Sequence, residues 1–118
     1  MDISRNDLYF VELGPTRGRE LDTKRRPVVV VSIDRLNVLG HVVIVVPGTS
    51  KKSHRATHFN EVLVQPTADN GLTGPTLFQC HQIKALDTSR FTRERVGVLG
   101  DDDVTAIEDC ILLCLGLD

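Results

Sequence analysis

The sequence predicts a mainly β fold, a small antiparallel β-barrel with appended helices and a C-terminal α-helix. Several short apolar segments rich in β-branched residues are separated by turns that contain Gly, Pro or Asn. One segment with a 3.6-residue apolar period closes the chain. Because the chain has 118 residues, 41% of them apolar and 25% charged, we expect a single globular domain spanning residues 1–118.

Three strands are predicted in the first half of the chain. Pro27 opens a β-branched run that is typical of a central strand buried on both faces. The polar stretch 16–26 before it has no apolar period and predicts a long surface loop. Residues 37–40 form a turn, and we expect Pro47 to stop the third strand. The predicted strands are Leu8–Leu13, Pro27–Ile33 and His41–Val46.

Three further strands are predicted in the second half. Along the middle one, alternation directs Cys80 into the core and places Gln79 and His81 on the opposite face. The cluster at 87–89 predicts a short helical turn. The predicted strands are Glu61–Gln65, Thr76–Ile83 and Val96–Leu99.

A terminal helix is predicted to begin at Asp101–Asp103, which supply an N-cap and negative charge in the first turn, and to end before Gly116. The helix dipole alone favours adjacent acids at this position, so we expect no metal site there. We also expect no cofactor. The apolar period is carried by Val104, Ile107, Ile111 and Leu115.

Charge is distributed unevenly along the chain. The last 18 residues hold six acids and no Lys or Arg, which leaves 14 basic against 10 acidic side chains in the first 100 residues. Two basic clusters suit an anionic partner, although solvated loops of this composition are also common. The first contains Arg17, Arg19, Lys24, Arg25 and Arg26, and the second contains Lys51, Lys52 and Arg55 with His54 and His58.

Composition also excludes several protein classes. No apolar run approaches the ~18 residues that a membrane span needs, and the N-terminus has no signal-like segment, so we expect a cytoplasmic protein. The three cysteines, odd in number and set in apolar segments, are expected to be small buried hydrophobes. With 4% aromatic residues and no Trp, the chain is not expected to bind nucleic acid mainly through base stacking.

Arg26 and Thr49 form the most informative polar constellation. Antiparallel pairing of the second and third strands would bring the start of one beside the end of the other. An always-charged guanidinium beside a hydroxyl can stabilise a phosphodiester whose oxygens gain negative charge. Taken alone the pattern is weak, because such an Arg is often ion-paired and such a Thr often bonds its own backbone.

The sequence also resembles the MazF, PemK and Kid toxins of bacterial toxin-antitoxin systems. The similarity extends over nearly the whole chain, in the family's order and spacing. The blocks that carry it are Asp7–Leu13, Gly14–Gly18, Arg25–Ser32, Val45–Ser50, Asn70–Leu72, Cys80–Arg90 and Leu115–Leu117.

This resemblance implies a sequence-specific, metal-independent endoribonuclease that cleaves single-stranded RNA, usually mRNA, and so arrests growth. It implies an SH3-like barrel like that of Kid and the gyrase poison CcdB, and a homodimer neutralised by a cognate antitoxin. The family's catalytic Arg falls on Arg26 and its catalytic Thr on Thr49, with Ser50 beside it. The acidic residue after the Cys in Kid is replaced by His81, and the Arg two positions earlier by Gln79.

The chemistry expected of such a site follows from RNA itself. The 2′-hydroxyl is an internal nucleophile, so cleavage needs a base for its proton, a cation for the phosphorane and an acid for the 5′-oxygen. Arg26 is suited to the charged phosphorane and Thr49 to positioning a phosphate oxygen. His81 could act as the base or the acid, because imidazole exchanges protons near neutral pH, although a surface His is more often inert.

We expect the basic loops to follow RNA phosphates, with base recognition by loop residues that include His54, His58 and Asn60. An antitoxin's disordered tail is expected to fold into the same grooves. The expected RNA-binding residues are Arg17, Arg19, Lys24, Arg25, Ser50, Lys51, Lys52, Arg55 and Gln79.

One alternative function remains open at this point. The chain could be a non-catalytic barrel module that binds RNA, a peptide or DNA gyrase; the Arg26 and Thr49 pair favours the enzyme. Dimerisation has modest support in the terminal helix, which carries more apolar surface than one packing face needs. The residues concerned are Ile111, Leu112, Cys114 and Leu115.

Overall fold

The computed structural model describes residues 2–14, 25–51 and 57–118, and within them it shows a curled antiparallel sheet with a C-terminal helix. Each predicted strand has an observed counterpart, although several of their limits differ. The strands are β1 (Asp7–Glu12), β2 (Arg25–Val30), β3 (Val42–Ser50), β4 (Glu61–Val64), β5 (Thr76–Gln79), β6 (Lys84–Asp87) and β7 (Gly97–Val98), and the helices are α1 (Asp34–Asn37) and α2 (Asp101–Leu115).

β3 is the central strand of this half-barrel. The sheet runs in the order β4-β5-β3-β2-β1-β7, and β6 also pairs with β3. β3 pairs antiparallel with β2 through Val45–Pro47, with β6 through Val42–Val45 and with β5 through Gly48–Ser50. The residues after Pro47 therefore join the two parts of the sheet.

The prediction that Pro47 ends the third strand is wrong. β3 continues through Pro47-Gly48 to Ser50, and at this dipeptide it changes partner from β6 to β5. Gly48 allows a close approach there, because a Cβ atom at this position would lie 2.8 Å from Thr76 Cγ2. The dipeptide thus marks a change of strand partner within one strand.

The prediction of one strand over Thr76–Ile83 is also wrong. β5 ends at Gln79, a 3₁₀ turn follows at Cys80–Gln82, and β6 begins at Lys84. Residues 79–83 lie opposite only residues 46 and 47 of β3, so the surplus chain leaves the ladder. Apolar alternation does not reveal such an insertion, because Cys80 is buried in either arrangement.

The terminal helix forms where the sequence predicts it, with two local differences. Its N-cap is Gly100, and no side chain caps the helix. Asp101–Asp103 therefore lie in the first turn, where their negative charge is favoured by the helix dipole, and none of them is the predicted N-cap. Gly116 closes the helix at φ 71°, a left-handed conformation that glycine adopts without strain. The buried helix positions are Ile107 and Cys110, whereas Leu115 is exposed.

Smaller differences occur elsewhere. The predicted turn at 37–40 is preceded by α1, and β2 ends at Val30 rather than Ile33. The predicted helical turn after Asp87 is present as a 3₁₀ turn at Thr88–Arg90, capped by Asp87, whose side chain accepts from Ser89 N.

Two apolar clusters lie on the two faces of the sheet. Val29 and Val46 belong to the cluster covered by α2, and Val28 and Val45 belong to the cluster closed by Phe91. These valines are at most 1% exposed, as expected for a central strand buried on both faces. Burial of both faces anchors β2 against β3 at the point where the candidate site begins.

Asn70 joins the turn after β4 to β7. Its side-chain oxygen accepts from Thr67 N and Leu72 N, both at 3.0 Å, and its amide donates to Gln65 O. The backbone of residues 69 and 70 lies against Gly97, where a Cβ atom would be 2.4 Å from Asn70 C and Asp69 O. Position 97 therefore has no room for a side chain.

We predict that Gly97→Ala lowers the free energy of unfolding by about 2–3 kcal/mol, because the new methyl group would overlap backbone atoms that cannot rotate away. Urea denaturation with circular dichroism measures the change. Gly74→Ala is the matched control, since a Cβ atom there meets nothing within 4 Å. Equal stability of the two variants would contradict the close contact at Gly97.

The cysteines behave as the small hydrophobes expected from their sequence context. Cys80 and Cys110 are buried and Cys114 is half-buried, all as free thiols. Burial raises the pKa of the Cys80 thiol, and its hydrogen bond with Cys110 raises it further. Burial raises the pKa of Cys114 as well.

We predict that Cys80 resists alkylation near pH 8 in the folded protein and reacts after unfolding in urea. A raised thiol pKa leaves little thiolate at this pH, and burial restricts access, so protection should exceed about 100-fold. Mass spectrometry of peptides from native and unfolded samples measures it. Rapid labelling of Cys80 under native conditions would show that the segment opens readily.

Candidate active site

Arg26 and Thr49 meet across the junction of β2 and β3. The strand register pairs Val28 with Pro47, and two further steps along both strands place Arg26 opposite Thr49. Directly opposed residues in an antiparallel pair project to the same face. Arg26 Nη1 donates a hydrogen bond to Thr49 Oγ1 at 3.1 Å. The structure thus brings together the two residues that the sequence predicts as partners.

This hydrogen bond orients the Thr49 hydroxyl. Because an arginine has only donors, Thr49 Oγ1 must accept, and its own O–H then points elsewhere as a donor. Both side chains are half-buried, and Arg26 Nε is shielded from solvent. A cation and a hydroxyl donor are therefore held side by side in a partly dry environment, where their effect on an anion is stronger than in water.

Strand alternation distinguishes Arg26 from its neighbour Arg25. Arg25 is paired in register with Glu12, and its Nη2 lies 3.6 Å from Glu12 Oε1. Arg26 is paired with Val11, which is fully buried. Successive side chains of a strand project to opposite faces, so only Arg26 reaches Thr49.

His81 occupies a different setting from the one predicted. It lies in the 3₁₀ turn Cys80–Gln82 rather than on a strand, and it is exposed. His81 forms no hydrogen bond or ion pair with the part of the chain that the structure describes. The turn leaves the sheet beside Pro47, two residues before Thr49 on β3.

Gln79 is joined to Glu61, a residue that the sequence analysis assigned only to a strand. The two are directly paired between β4 and β5, and Gln79 Nε2 donates to Glu61 Oε2 at 2.7 Å. Glu61 is 7% exposed and also accepts from His58 N at 3.0 Å through Oε1. Because Gln79 and Leu77 lie two residues apart on β5, and Leu77 faces Thr49, Gln79 shares a face with Thr49.

The remaining predicted RNA-binding residues divide into two groups. Ser50 is exposed at the end of β3, and Lys51, half-buried, donates through its backbone N to Pro75 O at 3.0 Å. Both follow Thr49 directly along the chain. The others lie outside the described residues, and they are Arg17, Arg19, Lys24, Lys52 and Arg55, together with His54.

The described residues contain neither a cluster of metal ligands nor a helix that could span a membrane. Across residues 2–14, 25–51 and 57–118, no group of three or more His, Cys, Asp or Glu side chains could hold a metal ion. Over the same ranges, no helix has the length and apolarity to cross a membrane.

The chain is similar to a known protein family. The family described as "PemK-like, MazF-like toxin of type II toxin-antitoxin system" matches residues 4–115. The chain is 31% identical over 117 residues to endoribonuclease MazF9 of Mycobacterium tuberculosis (strain ATCC 25618 / H37Rv), covering 96% of each protein.

Solved structures show the same fold. MazF (form I) from Deinococcus radiodurans superposes with a TM-score of 0.80 at 21% identity, covering 98% of each chain. An endoribonuclease in complex with its cognate antitoxin from a mycobacterial species superposes with a TM-score of 0.77 at 22% identity, covering 98% of this chain and 97% of that one.

Proposed function

Because the chain belongs to the PemK-like, MazF-like toxins of type II toxin-antitoxin systems, we propose that its endoribonuclease activity is carried by Arg26 and Thr49. The single observation that supports this assignment is the hydrogen bond from Arg26 Nη1 to Thr49 Oγ1. The substrate is single-stranded RNA, usually mRNA, cut at a specific sequence so that translation and growth are inhibited.

The reaction begins when the ribose 2′-hydroxyl attacks the adjacent phosphorus. The O–P bond to the new nucleophile forms as the bond to the 5′-oxygen breaks, which yields a 2′,3′-cyclic phosphate and a 5′-hydroxyl end. Arg26 stabilises the phosphorane, whose oxygens carry more negative charge than those of the substrate. Thr49, oriented by Arg26, donates its O–H to one of these oxygens.

Proton transfer is assigned to His81, with its role as base or acid left open. Its exposed position in the turn beside Pro47 allows a substrate to approach it. Imidazole can take the proton of the 2′-hydroxyl or deliver one to the 5′-oxygen near neutral pH. No metal ion or cofactor takes part in this mechanism.

RNA would enter along the basic segments that flank the two catalytic residues. Arg25, Ser50 and Lys51 adjoin Arg26 and Thr49 in the chain and can contact phosphates. A mycobacterial neighbour is in complex with its cognate antitoxin. A cognate antitoxin of this chain would compete with RNA for the same surface. The protein would act in the cytoplasm, where mRNA is translated.

The assembly we propose is a homodimer that uses the outer face of α2. Leu112, Leu113 and Leu115 are 41–53% exposed, and Leu117 beyond the helix is 68% exposed. Leu112 also lines a cavity of about 430 Å³ between α2 and the sheet. An apolar surface of this kind is typical of a protein interface.

We predict that Arg26→Ala reduces kcat/KM for RNA cleavage by about 10³-fold and leaves folding intact, because it removes the cation that faces the phosphorane. Thr49→Val should reduce it by about 10²-fold, whereas Thr49→Ser keeps the hydroxyl and most of the activity. Cleavage of a long unstructured RNA in EDTA, with both fragment ends mapped, measures these effects.

Arg35→Ala is the matched control, since Arg35 is exposed on α1. Near-normal turnover of Arg26→Ala would refute the assignment. Wild-type protein that binds the RNA and leaves it intact would instead indicate a non-catalytic module of the same fold. Loss of cleavage in EDTA and recovery with a divalent ion would indicate a metal-dependent reaction.

We predict that His81→Gln lowers kcat about 10²-fold and removes one limb of the pH dependence of kcat/KM. A general base would account for the acidic limb, and a general acid for the basic limb. The measurement is a series of initial rates from pH 5 to pH 9. An unchanged profile would exclude His81 from proton transfer.

A further inference from the structure

We infer that Gln79 is a specificity-determining residue that reads one RNA base, and that Glu61 is a positioning residue that sets which end of the Gln79 amide faces the base. This inference rests on the proposed endoribonuclease function and deepens it. It concerns which bases the site accepts, whereas the Arg26–Thr49 pair acts on the phosphodiester.

The orientation of the Gln79 amide is determined by its partner. An ionised carboxylate has only acceptors, so the amide must present Nε2 to Glu61, as the 2.7 Å hydrogen bond shows. The carbonyl oxygen of Gln79 is then directed away from Glu61. Bonds to a charged acceptor are stronger than bonds between neutral groups, which makes the reversed orientation unfavourable.

Glu61 is itself held in place from both sides. Its Oε1 accepts from His58 N at 3.0 Å, and its backbone N donates to His58 O at 3.1 Å. Cys80 N donates to Asn60 O at 3.0 Å and ties this turn to the residue after Gln79. With 7% of its surface exposed, Glu61 is too enclosed to serve as the main contact for RNA.

Gln79 is accessible where Glu61 is not. Its side chain is half-buried, and within the described residues its only hydrogen bond is the one to Glu61. It lies on the face of the sheet that carries Thr49, and β5 and β3 are direct neighbours there. A base next to the scissile phosphate can therefore reach the Gln79 carbonyl oxygen while the phosphate contacts Arg26 and Thr49.

An outward carbonyl oxygen selects bases by their hydrogen-bond donors. Adenine and cytosine present an amino group at the position where guanine and uracil present a carbonyl oxygen. Where the Gln79 oxygen faces this exocyclic position, it accepts from the amino group of A or C and meets the carbonyl oxygen of G or U, so one position of the recognition sequence should favour A or C. One N–H of the Gln79 amide bonds Glu61, and its second N–H can donate to the ring nitrogen beside the amino group of A or C.

The test is cleavage of a randomised single-stranded RNA pool, with base preference determined at every position around the cut. Wild type should prefer A or C at one position. Gln79→Met should reduce that preference roughly 3- to 10-fold, the value of one hydrogen bond, while other positions keep theirs. Glu61→Gln should reduce it at the same position, because the Gln79 amide can then present either end.

Gln65→Met is the matched control, since Gln65 is exposed just after β4 and should leave every preference unchanged. A substrate with purine riboside in place of adenosine at the sensitive position removes the amino group directly. Wild type should cleave it more slowly than the adenosine substrate, and Gln79→Met should cleave both equally. The comparison of the two substrates uses only wild type and Gln79→Met, so it tests the inference even if Glu61→Gln does not fold.

Three results would overturn the inference. These are unchanged base preferences in Gln79→Met, a uniform loss of cleavage across all sequences, and a wild-type preference for G or U at the sensitive position. A uniform loss would place Gln79 on the backbone or in the reaction itself. Wild-type protein that cleaves no RNA would contradict the proposed function, a result distinct from active protein whose specificity ignores Gln79.

Discussion

The register between β2 and β3 is the constraint on which the site depends. With Val28 opposite Pro47, the arginine two residues earlier and the threonine two residues later come face to face. A slip by one residue would turn Arg26 to the opposite face of the sheet and replace it with Arg25, the partner of Glu12. Register is held because Val28 and Val29 are buried in different apolar clusters, so a slip would exchange their environments.

We propose two kinds of function for neighbouring positions of the same sheet. At the β2–β3 junction a cation and a hydroxyl are fixed side by side, which suits charge stabilisation. On β5 an amide is oriented by a buried carboxylate, which suits discrimination between donors and acceptors. In both places a strand positions the functional group and a hydrogen bond sets its direction, so little reorganisation is needed when RNA binds.

Sequence patterns within one segment predicted the elements whose ends are set by neighbouring residues. β1 and α2 form close to their predicted limits, since an apolar run closed by Gly-Pro and a helix ended by Gly depend on neighbouring residues. The strand end predicted at Pro47 was wrong because β3 changes its strand partner there, and a strand can contain a proline at such a point. The sequence of one segment does not show which strands it pairs with. The 3₁₀ turn that carries His81 was missed for a related reason. Residues 79–83 outnumber the two β3 residues opposite them, and this excess is apparent only when the pairing with β3 is known.

By itself, the amino-acid sequence determined the β-rich class, the terminal helix, the buried cysteines and the proximity of Arg26 to Thr49, because each follows from periodicity or from the pairing of consecutive strands. Tertiary structure alone decided the partner of Gln79 and the surroundings of His81. Glu61 and Gln79 are 18 residues apart in the chain, and only the β4–β5 register places their side chains in contact. Hydrogen-bond partners between strands depend on three-dimensional register, which no single segment encodes.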